Sequence, residues 1–417
     1  MARCSESTEL LPVGKRSDTD IGDRAGPHPP ASPRRQTPLS VQGCALLLMV
    51  ALGAASSYMT GFLVQLNHQV RLGTSDGGKP HSRRDMGAAL GVYFVARVVG
   101  RQFHAILNMQ PLRRAIAGMS TTAIGLGVLF IGYFAKSPPL TDSVYPFAFA
   151  LLLSGWGFGV AESNAFSLLA AYGPTSKIAT TVGFIVGWSG IAAVTNTFYL
   201  CTTDSDKRFA FESGSVVFGI VLVVASICWL GCGLPPPPSD VVVFSETFSK
   251  FIADCAQWRQ WVPHIAADAG TLFAVGFSMT FSYVALESHY ASTSREVLPG
   301  VHLSPIGQMA AYAYGGVVFG VASGLACLRI ERHQLLNCVL SLACVVSVLT
   351  DVPFLGIVGA WLGVVAMAVS SGASSANIDA TVDPEFNLSA TSLWLQSWDV
   401  GTLLGSALAV VWGSHVV

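Results

Sequence analysis

Long apolar runs of similar length recur from Ser40 to the end of the chain, separated by short polar segments. Each is close to the roughly 20 residues a helix needs to cross about 30 Å of hydrocarbon. The runs are rich in Gly, Leu and Val and lack the alternation of a membrane strand. In hydrocarbon the backbone must bond to itself, so this pattern predicts helices. About eleven spans follow, over residues 41–66, 86–107, 114–134, 144–171, 178–200, 215–234, 261–286, 306–328, 335–354, 355–376 and 390–413. The cut between the ninth and tenth rests on Asp351, Pro353 and Gly356.

Two longer polar segments change this picture. Residues 1–39 are rich in Ser, Pro, Asp and Arg. That composition cannot bury a core, so a disordered cytosolic tail is expected. Within it, Glu6 to Leu11 has the form of an acidic dileucine signal, which makes a sorting adaptor a candidate partner through Glu6, Leu10 and Leu11. The first apolar run starts so far into the chain that it reads as a retained helix rather than a cleaved signal. The second segment, 235–260, opens with four prolines from Pro235 to Pro238. Phe244, Phe248, Phe251, Ile252, Cys255 and Trp258 then recur at helical spacing, with Glu246, Lys250, Asp254 and Arg259 on other faces. This is an amphipathic helix suited to the membrane surface. It divides a six-helix bundle at 40–234 from a five-helix bundle at 261–417. The Lys and Arg bias of the loops puts the N-terminus in the cytosol. The sequon at Asn387 and Ser389 then faces the cytosol and stays unmodified.

Composition agrees. Hydrophobic residues make up 52% of 417 and charged residues 11%, with a mean hydropathy of +0.55. Soluble domains carry about twice that charge. The chain is therefore an integral, multi-pass membrane protein, with the plasma membrane favoured over an internal one. A net charge of −1 and a pI near 6.7 give no case for nucleic acid. The nine cysteines show no metal spacing and read as small apolar residues. No phosphate-binding glycine loop, HExxH or G-x-S-x-G is present, so no enzyme is indicated and no cofactor implied.

Ionisable residues inside spans are expensive, so they should face the protein interior or water. Glu162 lies well inside the fourth span and reads as lining a cavity. Arg97, Arg101 and His104 share a face of the second span. Arg97 is expected to line the cavity or to pair with Glu162 or Asp268. Arg101 and His104 should snorkel toward the cytosolic end. His264 and Asp268 fall near the start of the seventh span and Asp399 in the eleventh. Neutral candidates for the pathway are Asn164, Trp188, Ser189 and Asn196, with Tyr58, Gln65, Tyr312 and Tyr314. Stripes of small residues at every fourth position predict close helix packing: Gly155, Gly159 and Ser163; Gly183 and Gly187; Gly316, Gly320 and Gly324; Gly401 and Gly405.

The six-plus-five layout resembles the two bundles of major-facilitator-type transporters, an all-α fold with its solute site between the halves. The stretch from Gly157 to Pro174 resembles the fourth span of the equilibrative nucleoside transporter family, closest in flavour to its apicomplexan branch. The stretch from Val186 to Ile191 is similar to that family's Gly-rich fifth span, and the layout of spans and loops agrees. The resemblance implies a facilitative carrier of nucleosides or nucleobases, with Glu162 in the place of a substrate-binding Gln. Two departures stand out. The first span reads Ser56 to Thr60 where the family has a Trp-Asn pair, and the span from Gln308 to Gly320 lacks the family's Asp and Arg. The alternatives are a proton-coupled carrier of another solute, with Glu162 as proton site, and a transport-inactive receptor or scaffold.

Overall fold

A computed structural model describes residues 38–72, 83–133, 145–235, 247–285, 295–350 and 352–415. The tail with Glu6, Leu10 and Leu11 lies outside the described residues, as do Phe244, Glu246 and the side chain of Gln65.

The first bundle is built from α1 (Leu39–Leu72), α2 (Arg83–Phe103), α3 (Pro111–Tyr133), α4 (Tyr145–Ala170), α5 (Thr175–Ile185) with α6 (Ile191–Cys201), and α7 (Ser205–Gly233). A π turn at Val186–Gly190 joins α5 and α6 into one span. The short helix α8 (Phe248–Ala256) leads to the second bundle: α9 (Trp258–Ala285), α10 (Pro305–Ala326), α11 (His333–Leu349), α12 (Pro353–Val369) with α13 (Ser375–Thr381), and α14 (Asn387–His415). A second π turn, Ser370–Ser374, joins α12 and α13. Over the described residues each of the eleven expected spans falls on helix, the ninth ending at Leu349. The weakest boundary holds because Pro353 opens α12, where its missing N–H costs nothing.

The amphipathic segment is shorter than its apolar pattern suggested, because Trp258 and Arg259 already belong to α9. Thr247 caps α8 by accepting from the Lys250 N–H. One element was not expected: β1 (Arg295–Leu298) and β2 (Val301–Leu303) pair antiparallel between α9 and α10, in the register Arg295↔Leu303. Gly300 permits the turn with φ +77°.

Glycines set how closely helices cross. A Cβ on Gly155 or Gly159 of α4 would strike the carbonyls of Tyr93 and Arg97, and one on Gly100 would lie 2.5 Å from the Trp156 carbonyl oxygen. The backbones of α2 and α4 are thus pressed together. Gly401 and Gly405 bring α14 onto the Phe273 and Phe277 carbonyls of α9 in the same way. The bundles meet where α2 lies along α14 and where α10 lies along α5 and α6.

Candidate functional site

Those two tight crossings determine which charges meet. Pressing α2 onto α4 brings Arg97 and Arg101 beside Glu162, three residues beyond Gly159. Docking α14 on α9 holds Asp399, two residues before Gly401, toward α2. Arg97 Nη2 lies 3.5 Å from Glu162 Oε2 and 3.0 Å from Asp399 Oδ1. Arg101 Nε lies 2.5 Å from Asp399 Oδ2, and its Nη2 is hydrogen-bonded to Glu162. Each guanidinium touches both carboxylates, and the four charges sum to zero. Arg97, Arg101 and Asp399 are buried, and Glu162 keeps 7% exposure. Gln102 of α2 also bonds Gln396 of α14.

Aromatic faces complete the seat of Arg97. Its guanidinium carbon sits 4.1 Å from the Phe158 ring centre and 5.7 Å from that of Tyr93. Such stacking suits a weakly hydrated planar cation in low dielectric. Two donors remain open: Arg97 Nε and Arg101 Nη1 have no hydrogen-bond partner among the described residues.

Beside the quartet lies a cavity with about 30 Å³ of water-accessible space. The first bundle contributes Arg97, Glu162, Phe166, Thr181 and Phe184 to its wall, and the second contributes Ser371 and Trp398 among others. Ser371 belongs to the second π turn, a distortion often found at functional positions. The volume suffices for one or two waters.

Of the residues singled out in the sequence, Glu162 and Arg97 come together here. Arg101 and Asp399 join them, and the neutral candidates lie elsewhere. Asn164 donates to the Val160 carbonyl of its own helix at 2.8 Å. Trp188 sits in the first π turn, tilted against Phe184 at 6.0 Å. Tyr58 packs against Gly219 inside the first bundle. Tyr312 is buried against Tyr283 inside the second. Tyr314 is exposed, 2.7 Å from the Thr197 hydroxyl, and Asn196 bonds the Ala192 carbonyl. Ser189 is buried and faces Gly316 across the bundle interface.

Several expectations are corrected. Arg101 does not snorkel; it is fully buried in the quartet, because α14 covers the end of α2. His104 is likewise buried, with Nδ1 2.6 Å from the Arg101 carbonyl oxygen. Arg97 pairs with Glu162 and lines the cavity, as expected, and pairs with Asp399 as well. Asp268, near the start of α9, is fully buried, while His264 is exposed. Charge balance was the signal that could have assigned Asp399 to this site: two arginines in one span call for two carboxylates, and Glu162 is only one.

Neither family models nor curated protein sequences match this chain. Solved structures do. The proton:xylose symporter XylE, bound to 6-bromo-6-deoxy-D-glucose, superposes with a TM-score of 0.62 at 14% identity, covering 90% of this chain and 89% of its own. The human organic anion transporter MFSD10 (TETRAN) gives 0.62 at 12% identity over 90% and 93%. The E. coli fucose:proton symporter FucP gives 0.52 at 14% over 90% and 98%. The fold is thus a major-facilitator-like arrangement of two helical bundles, as in these structures. At such identities the likeness is one of fold. The Arg97, Arg101, Glu162 and Asp399 quartet lies where α2 and α4 of one bundle meet α14 of the other.

Proposed function

We propose that this chain is a solute carrier working by alternating access, and that its solute is an uncharged nucleoside or nucleobase. The observation that carries the reading is the charge-balanced quartet bridging the two bundles beside a cavity with aromatic walls. An ionic solute would add net charge to a neutral, desolvated cluster, which low dielectric penalises. A neutral polar solute would not. Ribose hydroxyls or base N–H groups can donate to Glu162, the open Arg97 Nε–H can meet an acceptor, and Phe166, Phe184 or Trp398 offers a face for the planar base. The xylose and fucose of the structural neighbours share the hydroxyls but lack the plane. The charges missing from the eighth span have counterparts in Arg97, Arg101 and Asp399, on other helices.

The test is uptake into liposomes containing the full-length protein, across labelled nucleosides, nucleobases and pentoses. Saturable uptake of a nucleoside or nucleobase is expected, and Glu162→Ala should abolish it even in the fraction of protein that remains folded after the quartet loses one charge. Uptake restricted to pentoses would overturn the solute class. Undiminished uptake by Glu162→Ala would remove that residue from the site.

A further inference from the structure

The five-helix bundle holds a second buried polar cluster that solute binding does not use. Asp268 of α9 is fully buried. His333 Nε2 lies 2.8 Å from its Oδ1, and Asn377 Nδ2 donates to its Oδ2 at 2.8 Å. One carboxylate thus ties together α9, α11 and α13. His333 is the first residue of α11 and its side chain is 12% exposed, so the pair reaches the aqueous face. One turn deeper on the same face of α11, Asn337 is fully buried, and neither of its amide atoms has a hydrogen-bond partner among the described residues. The Ser341 hydroxyl, a further turn in, is in the same position. Buried polar groups without protein partners call for ordered water. An inaccessible carboxylate with an imidazole at its mouth and hydratable groups behind it has the makings of a titratable site.

Gln334 of α11 also hydrogen-bonds the Asp268 carboxylate, and the charged groups nearby are turned elsewhere. His264 on α9 is exposed, as are Arg329, Glu331 and Arg332 before α11. Asp379 on α13 is engaged elsewhere: it lies 3.1 Å from Lys177 Nζ of α5, across the two bundles. Lys177 is itself buried and donates to the Phe166 carbonyl at 3.0 Å. Asn377 and Asp379 therefore share one seven-residue helix, set off from α12 by the π turn at Ser370–Ser374. The same short helix thus carries one residue bonded to Asp268 and another paired with Lys177.

We propose that Asp268 and His333 form a proton-binding site, loaded from the face on which α11 begins, that controls the Lys177–Asp379 bridge between the bundles. With the proton bound, an imidazolium faces the carboxylate in a charge-assisted hydrogen bond. α13 is then held and the bridge stays closed. On deprotonation the imidazolium gives one proton to water, and no other bond forms or breaks. Asp268 is left with buried charge met only by neutral donors, and the tie to α13 loosens. The consequence for transport rests on the carrier reading; the binding of the proton and its effect on α13 do not.

Hydrogen exchange in the full-length protein in liposomes tests this, with amides of residues 375–381 followed between about pH 5.5 and about pH 8, the range in which imidazole changes charge. After correction for intrinsic exchange rates, protection in the wild type should fall roughly tenfold across that range, as local opening becomes easier. His333→Gln keeps a donor to Asp268 but cannot titrate, and its profile should be flat. Asp268→Asn should be flat as well and less protected throughout. A flat wild-type profile, or a His333→Gln profile that still follows the wild type, would overturn the proposal. Solute uptake on the same liposomes separates the two readings: pH-dependent exchange without uptake removes the carrier and supports the site.

Discussion

Two arginines and two carboxylates are tolerable inside an apolar bundle because none of them is alone. Desolvating an ion costs several kcal/mol even after relaxation, and only close, multiple pairing offsets it. Here each charge meets both opposite charges. Removing one member strands the others. Asp399→Asn should therefore destabilise the protein by about 3–5 kcal/mol, seen as a lower midpoint of thermal unfolding in detergent. Asp399→Glu, which keeps the charge, should recover part of that loss; equal midpoints for the two variants would contradict the pairing argument. Residue type marked Glu162 and Arg97, since ionisable groups in hydrocarbon are rare. It could not give the depth of Arg101, because burial there is supplied by α14, almost 300 positions later in the chain. Nor could it tell Tyr58, Trp188 and Tyr312 from pathway residues. Their chemistry suits a solute, but which helix face meets the opposite bundle is decided by packing between bundles.

At the scale of elements, the small-residue stripes divide into two kinds. Gly155 and Gly159 in α4, and Gly401 and Gly405 in α14, touch the backbones of neighbouring helices within a bundle. Gly316, Gly320 and Gly324 in α10 face side chains instead: Ser189, Ile185 and Val182 of the opposite bundle, with Val364 of their own. The first kind fixes geometry and the second keeps a sliding surface smooth. Gly159→Val should prevent α2 from seating on α4 and leave little folded protein by size-exclusion chromatography. Gly316→Ala meets the Ser189 side chain, with Oγ 3.1 Å away, and Val364 at 3.6 Å, and should fold normally while slowing solute uptake severalfold. Helix positions were legible because the length of an apolar run and the thickness of hydrocarbon are tightly linked. The β1–β2 hairpin was not, since strands of four and three residues give too few positions for an alternating pattern. The helix α8 was legible as amphipathic, but its attachment was not. Lys250 pairs with Asp254 and donates to the Glu385 carbonyl, and Ser389 donates to Asp254.

For the whole molecule, orientation and motion are the properties to establish. With the N-terminus in the cytosol, exposed Cys255 on α8 and exposed Cys201 at the end of α6 lie on opposite faces. A membrane-impermeant maleimide should label Cys201 on intact cells and Cys255 only after permeabilisation. The reverse order, or a glycan on Asn387, would invert the topology. Motion is the central claim: transport requires the bundles to part along the seam where α2 meets α14. Gln102 and Gln396 touch across that seam, close to the quartet. The most direct measurement is uptake by the Gln102→Cys, Gln396→Cys double variant before oxidation, after oxidation and after reduction. A disulfide there should stop transport, and reduction should restore it. Undiminished uptake by the fully cross-linked protein would contradict alternating access between these two bundles.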